Sequence, residues 1–110
     1  MLYKVKAKLK PNKMKSFFAA LTDGSIEAQQ PDGLYILKAM KDAKMLSTDT
    51  ISWYEACYCA TPLRHERETV YDKYLTDFET TLVYEVKDDI TGKSFWTYLE
   101  DTYYDETYTF

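Results

Sequence analysis

The chain has 110 residues, a formal net charge of −4, and a composition that is 45% hydrophobic and 29% charged. This is the make-up of a single globular domain spanning 1–110. It excludes a (β/α)8 barrel, a disordered or low-complexity chain, and a disulfide scaffold, for which two cysteines are too few. The one compositional excess is aromatic: eleven Tyr, five Phe and two Trp.

Charge is unevenly divided along the chain. Residues 1–44 carry nine lysines and four acids, whereas residues 45–110 carry five basic and fourteen acidic groups. The simplest expectation is attraction between the halves within one fold or across a dimer; the sharper one is a basic patch for an anion and an acidic patch for a partner. The N-terminal residues alternate where a signal peptide would show an apolar run, and no stretch of 18 apolar residues occurs. The expectation is therefore a cytoplasmic protein with reduced thiols and no membrane partner.

In chain order, residues 2–10 alternate, with Tyr3, Val5, Ala7 and Leu9 on one face and four lysines on the other, which predicts a half-buried strand. After Pro11, Asn12 is placed to cap a helix whose inner face is Met14, Phe17, Phe18 and Leu21, stopped by Thr22-Asp23-Gly24. Residues 25–30 suit a short helical turn. The spacing Leu34, Leu37, Met40 and Ala43, widened by Tyr35 and Ile36, predicts a second helix. Residues 50–60 predict a strand carrying bulk on both faces, hence central and covered on both sides. Ile51, Trp53, Glu55, Cys57 and Cys59 share one face of it; Ser52, Tyr54, Ala56, Tyr58 and Ala60 share the other. Thr61-Pro62 opens a helix with the stripe Leu63, Val70, Tyr71, Tyr74 and Leu75, ending near Thr76-Asp77. Residues 78–86 predict a strand with Phe78, Thr80, Leu82, Tyr84 and Val86 inward. Residues 88–92 turn into a short helix bearing Phe95, Trp96 and Leu99, and the alternation of 102–110 reads as a last strand or a frayed tail.

This order fits an α+β domain with a mixed sheet of three or four strands and helices packed on one face. Its element order resembles the ferredoxin-like class of sandwiches and the dimeric α+β barrels built from it. The helix between the strands at 50–60 and 78–86 departs from the plain pattern.

Several constellations could carry chemistry. Cys57, Cys59 and His65 offer thiolate and imidazole ligands suited to zinc or copper. A C-x-C with a single histidine falls short of a zinc pattern, however, and neither a metal nor another cofactor is expected. His65, the only histidine, titrates nearest neutrality, so Glu55 and His65 are the candidate catalytic groups. Glu55 lies mid-strand, where a carboxylate must be paired, hydrogen-bonded or protonated; Lys4, Lys6 or Arg64 would pair it. With Trp53, Tyr54 and Tyr58 nearby, Glu55 and His65 would line a pocket for a small ligand. The lysine face of the first strand could track phosphates, but the chain is acidic and has no glycine-rich phosphate frame, so nucleic acid is not an expected partner.

The leading expectation is a small non-enzymatic binding domain. It would act through its acidic, tyrosine-rich end (Tyr103, Tyr104, Asp105, Glu106 and Tyr108), pairing with itself as a homodimer or with another protein. The alternative is a small-molecule enzyme or ligand sensor of the dimeric α+β barrel type with its pocket near Glu55 and His65. A further alternative is an acidic decoy of nucleic acid.

Overall fold

The structure is a computed structural model that describes residues 1–107, with side chains through residue 104. Strand β1 (Leu2–Leu9) buries Tyr3, Val5, Ala7 and Leu9 and turns its lysines outward, as alternation dictates. A 3-10 turn at Pro11–Lys13 leads into α1 (Met14–Thr22), whose buried residues Met14, Phe17, Phe18 and Leu21 are those that helical spacing selects. Asn12 does not cap α1; it lies inside the 3-10 turn, where Pro11 supplies the fixed φ that starts it. Gly24 ends the segment with φ 89°.

Helix α2 (Gly33–Asp42) is rotated from the face that the sequence predicts. Gly33, Ile36, Ala39 and Met40 are buried, while Leu34 and Tyr35 are exposed. The turn at 25–30 lies directly against the first turn of α2. A Cβ on Gly33 would stand 2.2 Å from the Ile26 carbonyl oxygen and 2.6 Å from that of Glu27. Only glycine permits this approach, and it turns Ile36 and Met40 to the core. Gly33→Ala should therefore lower the unfolding free energy by about 1–3 kcal/mol in urea titrations. An unchanged midpoint would mean that the turn moves aside freely.

Strands β2 (Lys44–Met45) and β3 (Thr50–Ala56) follow as a hairpin. β3 lies antiparallel to β1, with Tyr3 opposite Glu55, Val5 opposite Trp53 and Ala7 opposite Ile51. Glu55 and Trp53 therefore face the core. The sequence predicts this strand through residue 60, but it ends at Ala56. The β1–β3 register ends at the Leu2–Ala56 pair, and the Cys57 N–H donates to the Met1 carbonyl at 2.8 Å. Among the described residues no helix covers the far face. There Ser52 is buried and Tyr54 half-buried beside the segment 84–92, whose Asp89 accepts hydrogen bonds from the Tyr54 hydroxyl and, at 3.0 Å, from Lys4 Nζ.

The next helical segment runs as α3 (Arg64–Glu66), a π-helical turn over Arg67–Tyr71, and α4 (Asp72–Tyr74). It starts later than Thr61-Pro62 predicts because Leu63, fully buried, takes left-handed backbone with φ 56°. Strand β4 (Leu75–Val83) starts three residues earlier than expected, and Asp77, at φ 53°, is the extra residue of a bulge between the Lys6 and Lys8 pairings. Phe78 turns inward, but Tyr84 and Val86 lie beyond the strand, and Tyr84 is 98% exposed. β5 (Lys93–Ser94) precedes α5 (Phe95–Thr107). Where the sequence reads as an alternating strand from 102, the chain is helical through 107. Phe95 and Leu99 are buried and Tyr98 and Tyr103 pack on the core, a helical period that outweighs the local alternation. Residues 108–110, Tyr108 among them, and the side chains of Asp105 and Glu106 fall outside the described residues. Of the expected contact surface, Tyr103 packs on the core and Tyr104 is half-exposed.

The sheet is open, with strand order β4-β1-β3-β2-β5 and every described pair antiparallel. Five strands stand where three or four are expected, and the sheet is antiparallel where a mixed one is. The helices close over one face of it. Phe17 stacks on Tyr74 with ring centroids 4.5 Å apart and meets Phe95 at 6.3 Å, joining three helical segments. Trp53 meets Tyr71 at 5.4 Å and Phe78 at 6.4 Å. On the other face the two halves of the chain attract: Lys4 pairs with Asp89, Lys6 with Glu79 at 3.2 Å, and Lys8 with Asp77 at 3.9 Å. These exposed pairs add little stability, but they neutralise the lysine face that could have tracked phosphates. Among the described residues no helix is long and apolar enough to cross a membrane.

Candidate functional site

The end of β3 and the loop after it converge with the start of α2 and with α3. Once the chain leaves the sheet at Cys57 it bends, so the two cysteines no longer lie apart along one strand face. The Cys59 N–H donates to Cys57 Sγ at 3.2 Å, and both thiols donate to Glu66 Oε2, at 3.6 Å from Cys57 and 3.9 Å from Cys59. Cys57 and Glu66 are buried and Cys59 is half-buried. Burial pushes the Cys57 thiol up to about 11 and raises the Glu66 carboxyl above its ordinary value. Glu66 is the residue that the sequence reading misses. It sits four residues before Val70 and three after Leu63, on the apolar stripe itself, and an acid in that phase is the signal that could have found it.

His65 has a different partner. Its Nδ1 is hydrogen-bonded to Asp32 Oδ2, and this partner raises the imidazole above its usual value. Asp32 reads in sequence only as turn punctuation; it reaches His65 because Gly33 lets the preceding turn close against α2. No hydrogen bond joins His65 to either thiol among the described residues, so a cysteine–histidine nucleophile is not assembled.

These groups line a cleft of about 460 Å³ whose walls are Pro31, Asp32, Tyr35, Ala56, Cys57, Tyr58, Cys59, His65 and Glu66. Tyr58 is 92% exposed and Tyr35 is also exposed, so two aromatic rings flank the opening. Neither lysine nor arginine is among these residues.

Glu55 lies outside this cleft, in the core against the helices. Its Oε1 accepts from Trp53 Nε1 at 2.7 Å and from the Tyr71 hydroxyl at 2.6 Å, while Oε2 has no partner among the described residues. Burial lifts its carboxyl to about 7, against the two hydrogen bonds that lower it. None of the cations predicted to pair it does so: Lys4 and Lys6 turn to the far face, and Arg64 pairs with Glu68 at 3.0 Å. Glu55 and Tyr54 instead border a smaller groove with Tyr35, Lys38, Ala39, Asp42 and Ala56. The pocket read from sequence is thus divided, with Tyr58 and His65 in the cleft, Glu55 and Tyr54 beside it, and the Trp53 ring in the core. Comparison with protein-family models, curated proteins and solved structures found no match for this chain.

Proposed function

We propose that this chain is a binding domain and that its ligand is a cation seated in the cleft at the end of β3. The observation that carries this reading is the charge of the lining. Asp32 and Glu66 face a space with no lysine or arginine, and the one basic group, His65, is held by Asp32. A cleft so lined attracts positive charge, and two flanking tyrosines suit it further. Binding is favoured over catalysis because the one histidine is held by Asp32, which leaves no cysteine–histidine pair in contact among the described residues.

The test is an NMR titration of the amide resonances of residues 31–35 and 56–66 with benzylamine, magnesium and cadmium, and with benzoate as the anionic control. At least one cation should shift these amides saturably. Glu66→Gln should weaken that binding about tenfold or more, the size expected when a buried charge-assisted contact is lost. Saturable shifts with benzoate, or none with any cation, would refute the reading.

A second reading concerns self-association. The element order β1, helices, β2, β3, helix, β4 supports a ferredoxin-like fold with β5 added beside β2. β4 forms one edge of the sheet, and exposed Leu82 is followed by Tyr84 and Val86, also exposed. An apolar edge of this kind favours strand addition. Light scattering at high concentration tests it, and a strict monomer would remove it.

A further inference from the structure

We infer that Cys57, Cys59 and Glu66 form a binding site for a thiophilic divalent metal ion of the zinc and cadmium class. This inference rests on the cleft being a cation site, and it names the cation.

The donor set is the first argument. Two thiols and a carboxylate offer one ligand atom each, and all three atoms lie within 4.8 Å of one another. A tetrahedral ion with metal–sulfur bonds of about 2.3 Å and metal–oxygen bonds of about 2.0 Å sets sulfur and oxygen about 3.5 Å apart. The distances from the two sulfurs to Glu66 Oε2 are 3.6 and 3.9 Å. Both sulfur–oxygen distances therefore stand within a few tenths of an ångström of the spacing that one ion needs.

The second argument is the support around these donors. The Cys59 N–H is aimed at Cys57 Sγ at 3.2 Å. A backbone N–H on sulfur stabilises a thiolate and fixes the direction of its remaining lone pairs. Leu63, buried and left-handed, holds the loop between Cys59 and α3 in a conformation that costs energy and persists only because packing enforces it. Glu66 stands on the last residue of α3, immediately before the π-helical turn, and that turn places its carboxylate under the loop.

The third argument is charge. Asp32 neutralises His65, so no cation on the protein balances Glu66 within the cleft. A divalent ion would supply that balance. On binding, each thiol forms a metal–sulfur bond and gives its proton to solvent, so one ion releases two thiol protons. The fourth position of the tetrahedron opens on the cleft, where water or a small ligand completes the coordination. This departs from the sequence expectation that no metal is bound, and it replaces His65 with Glu66 as the third ligand.

Cadmium titration of the chelator-treated, reduced full chain tests the inference. A thiolate-to-cadmium charge-transfer band in the ultraviolet should rise to saturation at one ion per chain. Zinc should compete for the same site, and magnesium should not. Cys57→Ser and Cys59→Ser should each abolish most of the band, and Glu66→Gln should weaken affinity about tenfold or more. Since Cys57 is buried and its variant could misfold, X-ray absorption at the cadmium edge of the wild-type complex provides an independent reading. Two sulfur neighbours with oxygen or nitrogen completing the shell support the site. Four sulfurs, meaning an ion shared between two chains, overturn it, as does a missing band or a band that survives in either serine variant. If cadmium shows no sulfur band while benzylamine or magnesium still shifts the cleft, the metal inference fails and the cation-binding reading stands. If no cation binds, both fail.

Discussion

Between pH 4 and pH 8 the wild-type protein should lose about 3 kcal/mol of stability relative to Glu55→Gln, with the variant the more stable of the two at pH 8. The folded protein holds the Glu55 proton up to about pH 7 because the carboxyl is buried, whereas the unfolded chain releases it near 4.5. Across that interval the folded state binds more protons than the unfolded state, so raising pH favours unfolding. The stabilisation is fully present below the unfolded value and is lost as pH rises through the folded one. A difference of about 2.5 pK units corresponds to about 3 kcal/mol. Glutamine keeps the Oε1 acceptor for Trp53 and Tyr71 and cannot ionise, so it matches the protonated side chain that the core holds. His65, also raised in the folded state, titrates in both proteins and cancels from the difference. Urea denaturation at several pH values, with a chelator present, provides the measurement. A difference between the two proteins that does not change with pH would show that Glu55 is ionised in the fold.

Phe17→Ala should cost about 3–5 kcal/mol, the range for deleting a fully buried aromatic side chain. Phe17 has no exposed surface; it stacks on Tyr74 and meets the ring of Phe95, so it joins α1 to α4 and α5. Small domains have total stabilities of about 5–15 kcal/mol, so this one truncation would remove a large share. Phe17→Leu, which keeps most of the volume, should cost distinctly less. Chemical denaturation checks both variants. A loss below 1 kcal/mol in the alanine variant would mean that the three helical segments collapse onto the vacated volume and do not depend on this ring.

Local pattern accounts for β1 and α1 almost completely. Tyr3, Val5, Ala7 and Leu9 alternate, and Met14, Phe17, Phe18 and Leu21 recur at helical spacing, because each set is buried by a single face whose period is a property of the backbone. The boundaries of β3 and of the 64–74 helical segment are not local properties. β3 stops where its pairing with β1 ends, at Ala56 opposite Leu2, and the helix starts after Leu63 because burial holds that residue in left-handed backbone. At 102–107 the local alternation is misleading: the inward pull on Phe95, Leu99 and Tyr103 sets a helical period instead.

The candidate site divides in the same way. Glu55 is identifiable in the sequence as a carboxylate mid-strand, and its perturbed state follows from that placement alone. Cys57, Cys59 and His65 are identifiable as chemically capable, but their partners are not. Asp32 reaches His65, 33 positions away in sequence, only because a glycine admits a close turn, and Glu66 reaches the thiols only because β3 ends and the chain bends.

The sequence by itself determined an α+β fold, its buried faces on β1 and α1, a buried acid on the central strand, and a charge division that draws the two halves together. Each is set by composition or by a period of two or 3.6 residues, which the chain carries locally. The tertiary structure alone decided the five-stranded antiparallel order, the rotation of α2, and the meeting of two thiols with Glu66. Those depend on which strand ends first and on which backbone can approach another, and such long-range contacts leave no local period to read.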